Sequence, residues 1–473
     1  MLIRHTIIYA LGRGGAGVIS LLALAVYTRL LNPVEYGRYA LVLACVGVVN
    51  AVVFQWLNLG ARRFLAAYAD RHGGFLSTIG VAYLRLAGAV VMVAIIAVIV
   101  WPDPRLRGLI GLGAILVCSQ AWLDLNLELS LAGLRPIRYG TLILTRAFVG
   151  LAAGVVLAYE GLGAYGVVIG TTLGYLTPGA WVAAFEWRAA SRRGTDPAVM
   201  RDLLSYGLPL TATYALAFVV TSSDRLLLGW LKGSAAVGPY AVAYDTTSQA
   251  LIALMMMVNL SAFPLAVRAL EEHGVERATK QLTQHAVLLF TLALPATVGL
   301  ALLAPNIAAT LFGPSFQVAA AELMPWLAVG ALLAGVKAFY FDLSFQLGRV
   351  TRKQIWVSGC AAALNLVLNI WWIPGLGALG AAWASLIAFL VGCTLSAVLG
   401  RQAFRMPLPV AEWARIAVAC SVMALALWPF ASYRGQGALV LQVAGGVTVY
   451  AIAAALLNVG NSRTLVAGAL RNR

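Results

Sequence analysis

Charge is scarce in this sequence. Asp, Glu, Lys and Arg make up 11% of 473 residues, where a soluble domain carries about 25%. Hydrophobic residues reach 62%. No single aqueous core hides that excess, so the natural solvent is lipid. Histidine is scarcer still. His5, His72, His273 and His285 mostly sit in or near polar loops and form no HExxH arrangement. The five cysteines, Cys45, Cys118, Cys360, Cys393 and Cys420, fall within apolar stretches without a CxxC pair. They read as small buried hydrophobes rather than redox or metal groups. No metal, cofactor or catalytic residue is expected, and the chain reads as not an enzyme. Long polar segments are also missing. The longest, around 188–202 and 268–282, run to about fifteen residues each, too short for an independent core.

What charge there is has one dominant sign. The formal net charge is +16, spread at one to four residues per loop. Nucleic-acid binding requires a concentrated basic patch, so no nucleic-acid partner is expected. Dispersed Lys and Arg instead signal orientation and contact with anionic headgroups of membrane lipids. The basic N-terminus runs into an apolar stretch reaching Leu31 with no small-residue cleavage site, which predicts an uncleaved first span.

The apolar runs predict an all-α polytopic membrane protein of about fourteen spans, at roughly 7–31, 40–60, 75–101, 108–133, 141–159, 162–187, 203–230, 237–265, 283–312, 319–347, 354–373, 376–400, 413–431 and 436–460. With both termini on the cytoplasmic side, 21 Lys and Arg fall in cytoplasmic loops and termini and 5 on the opposite side. The other seven, within spans or at their ends, complete the 33. Losing one span would scramble this asymmetry, so it supports both count and orientation.

The chain also repeats itself. Residues 159–176 align without gaps to 373–390, and Gly-Leu-Gly-Ala-x-Gly is identical at 161–166 and 375–380. At the same offset of 214, Ser130, Arg135 and Arg138 meet Ser344, Arg349 and Arg352. A weaker match at an offset near 201 links LLNPVEYGRYALV (30–42) to WLKGSAAVGPYAVA (230–243). The organisation is therefore a six-helix lobe over 1–190, a second over 200–400, and two additional helices over 413–460. Six is even, so the repeats are parallel, a plan that places a transport path at their interface.

At these residues the chain resembles the Wzx-type polysaccharide flippases, carried by YTRLLNPVEYGRYALV, DRLLLGWLKGSAAVGPYAVAY and the GLGAYG/GLGALG turns. Their superfamily also holds multidrug exporters and lipid II flippases. The resemblance implies fourteen helices, two lobes around a central cavity and cytoplasmic termini. It implies a bacterial inner-membrane carrier moving an undecaprenyl-diphosphate-linked oligosaccharide by alternating access, for O-antigen, exopolysaccharide or capsule assembly. Partners on this reading are the lipid-linked substrate, membrane lipids, polysaccharide assembly proteins and, where transport is ion-coupled, a proton or sodium ion. Alternatives are a drug or lipid II exporter of the same superfamily, or a membrane-embedded polymerase or glycosyltransferase. The short external loops count against the last.

Charges inside spans are functional candidates because each costs on the order of 3 kcal/mol by insertion scales. Arg13 and Arg85 lie about a quarter of the way into their spans, and Arg146 lies near the start of its own, where a snorkelling side chain would reach headgroups. Lys337 lies deep in the tenth span. These four are the candidate contacts for an anionic diphosphate. Asp342 is five residues from Lys337, roughly 140° around an α-helix, so the two need not share a face. Gln120, Asp124 and Glu128 recur every four residues as one polar stripe, to carry protons, pair with arginines or serve as an interhelical network. Asp224 and Arg225, near Asp245, match the family pattern and read as a gate or an ion pair at the rim. Gly12–Gly17 fits GxGxxG but lacks the βαβ context of a dinucleotide site. Gly166, Gly170 and Gly174 read as a helix-packing face.

Overall fold

The computed structural model describes residues 2–187, 195–348 and 350–461. Among them the regular structure is entirely helical. Arg188, Arg192, Arg193, Arg349, Arg463, Arg471 and Arg473, counted above as loop or terminal charges, lie outside the described residues. The chain divides into two compact units, Met1–Gly238 and Pro239–Arg473.

The first unit holds α1 (Leu2–Leu30), α2 (Pro33–Val49), α3 (Gln55–Phe64), α4 (His72–Val100), α5 (Pro104–Ala132), α6 (Pro136–Leu157), α7 (Gly163–Phe185) and α8 (Pro197–Lys232). A π-helical turn, Asn50–Phe54, joins α2 to α3 as one span. Local sequence sets the starts. The Asn32 side chain accepts from the backbone N–H of Glu35 and Pro33 opens α2; Asp196 accepts from Ala198 and Pro197 opens α8. Both are N-cap residues followed by proline at the position that tolerates it.

The second unit is built from α9 (Ser234–Leu302), whose first residues belong to the first unit, followed by α10 (Ala304–Leu311), α11 (Gln317–Val336), α12 (Leu343–Leu347), α13 (Thr351–Leu376), α14 (Ala378–Gly400), α15 (Val410–Leu427) and α16 (Gln436–Leu456). A π turn, Lys337–Phe341, links α11 to α12.

Eleven stretches are long and apolar enough to cross a membrane, and the bent pair Pro197–Leu216 with Thr221–Lys232 adds a twelfth. Two of the eleven turn back on themselves, which brings the crossings to fourteen among the described residues. Pro136–Phe185 reverses at Gly161 and Gly163, both with positive φ. Ser234–Leu302 reverses at Gly274, φ +79°. There Met255 and Val258 pack on Ala286, Leu289 and Ala293 from the returning limb. The stretch 268–282, expected as a polar loop, is thus helical up to a one-glycine turn. The protein is multi-pass.

The repeated glycine block has a physical meaning in each copy. Gly163 adopts φ +54°, ψ −131° and Gly377 adopts φ +59°, ψ −131°. Only glycine reaches this region without strain. Three residues on, a Cβ on Gly166 would sit 2.7 Å from the Leu157 carbonyl carbon, and one on Gly380 would sit 2.7 Å from the Trp372 carbonyl oxygen. The second glycine of the block turns the chain and the last lets the two limbs touch. Farther along α7, Gly170 lies against Gly154 and Gly174 against Gly150, so the predicted small-residue face is a packing face.

The structure also corrects two expectations. Cys393 and Cys420 are buried and Cys118 is half-buried, but Cys45 and Cys360 are exposed. His285 is not near a loop. It is 1% exposed, in the returning limb of α9, with its ring edge-on to Tyr340.

Candidate functional site

In the first unit the polar stripe of α5 forms as expected. Gln120, Asp124 and Glu128 are each half-buried, while Leu116, Leu123, Leu125 and Leu127 beside them are buried. The Gln120 amide hydrogen-bonds the Asp124 carboxylate, and Arg146 of α6 lies within electrostatic reach of it. Glu128 pairs with Arg62 of α3 at 3.0 Å and also feels Arg13. The stripe therefore gathers charge from α1, α3 and α6 onto one face of α5.

Two tyrosines hold the arginines. Arg13 Nε donates to the Tyr139 hydroxyl at 2.7 Å, with the guanidinium 5.6 Å from the ring centroid. Arg146 donates to the Tyr175 hydroxyl at 3.0 Å and lies 4.7 Å over its ring. Such cation–π contacts keep a guanidinium attractive to anions while holding its position. Arg146 is not a snorkelling residue. Its helix begins at Pro136, so it is in mid-helix, and the aromatic contact draws it inward. Tyr139 and Arg146 are seven residues apart on α6, two turns along one face and about 10 Å in height. Arg85 is exposed on α4. Arg13 is also exposed at its helix surface despite the Tyr139 bond.

A second network lies beside the first, at the start of α6 and the end of α5. Arg138 makes a bidentate pair with Glu186, with Nε to carboxylate at 2.9 Å, and also donates to Asn126 and Ser130. Trp187 donates to Asn126 at 3.0 Å. Arg138, read from sequence as a loop charge, is thus the tie between α5, α6 and the end of α7.

In the second unit Lys337 and Asp342 meet at 2.8 Å. The 140° separation of an α-helix does not apply, because the intervening turn is π-helical. Asp342 N–H donates to the Lys337 carbonyl at 2.8 Å, so five residues complete about one turn. Asp342 also accepts from Ser396 at 2.6 Å and from Gln354 at 3.3 Å. Asp224 is fully buried in α8, with Arg225 half-buried beside it; Asp245 is half-buried in α9. Among the described residues no group of three His, Cys, Asp or Glu is arranged to hold a metal ion.

The residues that single-span reading missed are Arg62, Arg138, Tyr139, Tyr175, Gln354 and Ser396. One signal was available. The offset of 214 that matches Ser130 to Ser344 also carries Glu128 onto Asp342, so each repeat places an acid two residues before its serine.

The sequence profile of the polysaccharide biosynthesis protein family matches residues 26–321, more than half of the chain. The chain belongs to this family. As a polysaccharide biosynthesis protein it is 26% identical over 232 residues to the "Probable flippase AglR" of Haloferax volcanii, covering 48% of each chain. It is also 26% identical over 197 residues to an uncharacterized membrane protein of Methanocaldococcus jannaschii, covering 41% of this chain and 38% of that one. The chain spans about half or less of the length of these curated relatives. Its fold is similar to that of a lipid II flippase solved in an inward closed conformation, with TM-score 0.78 and 11% identity over 97% of this chain and all of the other. A multidrug resistance transporter in an inward-facing conformation gives TM-score 0.64 and 16% identity over 82% of this chain and 94% of that one. These structural likenesses establish the polytopic all-helical fold.

Proposed function

We propose that this polysaccharide biosynthesis protein is a flippase. It moves a lipid-diphosphate-linked oligosaccharide across the inner membrane of a bacterium by alternating access. The observation that carries the reading is the pair of arginine–tyrosine stations on α6, Arg13 at Tyr139 and Arg146 at Tyr175, within helices otherwise suited only to lipid. A diphosphate needs cations inside the membrane, and arginine binds its oxygens in bidentate fashion. Tyrosine contacts fix the two guanidinium groups at two heights without neutralising them. Asp124 and Glu128 limit the local excess of positive charge in the absence of substrate. The basic loops orient both termini to the cytoplasm, where the substrate is assembled. The likeness to the "Probable flippase AglR" of Haloferax volcanii supports transport rather than bond-making chemistry.

The test is genetic. A deletion strain should accumulate lipid-linked repeat units on the cytoplasmic leaflet and lose surface polymer, and the intact gene should restore it. Arg13→Ala and Arg146→Ala should each fail to restore export at normal protein level. Undiminished polymer in the deletion strain, with no redundant carrier, would refute the reading.

A further inference from the structure

Lys337 and Asp342 meet only because their helix holds one residue too many for an α turn. Straightened to an α-helix, the segment would carry the two side chains about 140° apart. In the π turn they lie one above the other and are sealed together, with 14% of the Lys337 side chain and 6% of Asp342 exposed. Packing alone does not call for this arrangement. A lysine in a span costs on the order of 3 kcal/mol, and a buried ion pair is often no more stable than apolar residues of the same size.

The two partners differ in what they would do apart. Asp342 would keep Ser396 and Gln354 as donors, both already in place. Lys337, once turned from Asp342, would carry its charge toward whatever anion it could find. Its Cδ and Cε lie over Gly392, where even a Cβ would come within 3.4 and 3.3 Å of them.

We propose that Lys337 is a masked phosphate-binding site. Asp342 covers its ammonium while the π turn is in place, and straightening of the turn to α-helix uncovers it for a phosphate group. The ammonium, a compact charge with three donors, suits a phosphate oxygen. The proposal rests on the flippase reading only for the source of that phosphate, the substrate's diphosphate.

The chain has four lysines, Lys232, Lys280, Lys337 and Lys353, so an amine-reactive reagent followed by peptide mass spectrometry reads each one separately. In the purified full-length protein, Lys337 should react about tenfold or more slowly than exposed Lys280, tenfold corresponding to roughly 1.4 kcal/mol. Asp342→Asn should raise Lys337 labelling several-fold and leave Lys280 unchanged. Inorganic pyrophosphate should then protect Lys337, and chloride at equal ionic strength should not. Fast labelling of Lys337 in the wild type would show that nothing masks it. Unchanged labelling in Asp342→Asn would reduce the pair to a structural contact. Failure of pyrophosphate to protect would remove the phosphate assignment.

A second variant guards against misfolding of the first. Deleting Ala338 takes the extra residue out of the turn and leaves Lys337 and the acid four apart, paired in a plain α-helix. Its Lys337 should stay slow to label, and the variant should lose export at normal protein level. Normal export would overturn the register change. Should the wild-type gene itself fail to restore export, the flippase reading falls while the labelling results still decide the masked site.

Discussion

Glu128 and Asp342 hold the same place in the two repeats, yet their surroundings differ. Glu128 in the first unit meets Arg62 from another helix, with 23% and 48% of the two side chains exposed. Asp342 in the second unit meets a lysine of its own helix through a π turn, with 6% and 14% exposed. The acid at this repeat position forms an open pair in one unit and a closed one in the other. Burial sets the energetic consequence, since solvent screens the first pair and the second has only its partners.

That contrast can be broken, most severely from the closed side. Asp342→Ala strands Lys337 in a buried position and should cost about 3–5 kcal/mol, read as a fall in the thermal midpoint of the purified protein. The double change Lys337→Met with Asp342→Leu should recover most of that loss, because it removes both charges. If the double variant is as unstable as the single one, the pair itself holds the unit together.

The first unit contains a sheltered pair of its own, which separates burial from unit identity. Arg138, 14% exposed, binds Glu186, Asn126 and Ser130. Arg138→Ala should cost about 3 kcal/mol and loosen α6 from α5, seen as faster amide exchange near Asn126. A loss no larger than that of a surface pair would mean that burial is not the deciding variable.

Arg62→Ala should change stability by less than about 1 kcal/mol, as expected for a screened pair, while altering export through the charge left on Glu128. A destabilisation equal to that of Asp342→Ala would erase the distinction between open and closed pairs.

The smallest effect belongs to a part-buried contact between the turn after α3 and α8. The Tyr68 hydroxyl donates to Asp202 at 2.6 Å, and that bond, then burial and the neighbouring carboxylate charges, raises the phenol above its ordinary value. A raised phenol contributes its stability fully below the unfolded tyrosine value of about 10, and loses it as pH climbs through the folded value. Tyr68→Phe should therefore lower stability by a small, constant amount at neutral pH and flatten the alkaline end of the stability–pH curve, where the wild type loses the same contribution. An unaltered alkaline slope would show that the bond adds nothing.

Some of the site was legible before any coordinates. The four-residue spacing of Gln120, Asp124 and Glu128 fixes a common helix face whatever surrounds it, and the stripe is there. The identical Gly-Leu-Gly-Ala-x-Gly blocks demanded the same backbone twice, and Gly163 and Gly377 supply it with matching dihedral angles. What stayed hidden were partners far away in sequence. Tyr139 looked like an ordinary apolar residue beside a loop, and Tyr175 like one of many aromatics in spans. Arg62 and Arg138 looked like orientation charges, since a positive residue at a span end serves that purpose equally well.

By itself the sequence determined the solvent, the element type and the number of crossings. Hydrocarbon leaves a backbone no partner but its own helix, so apolar runs of sufficient length have one outcome. It also determined where the chain turns, because positive φ in a tight reversal calls for glycine. The tertiary structure decided which charges meet. One extra residue in a single turn moved Asp342 from the far side of its helix onto Lys337, and packing of α6 against α1 and α7 gave two arginines their tyrosines. Residue spacing along one helix is local geometry; the meeting of side chains from different helices, or across an irregular turn, is set only when the whole unit packs.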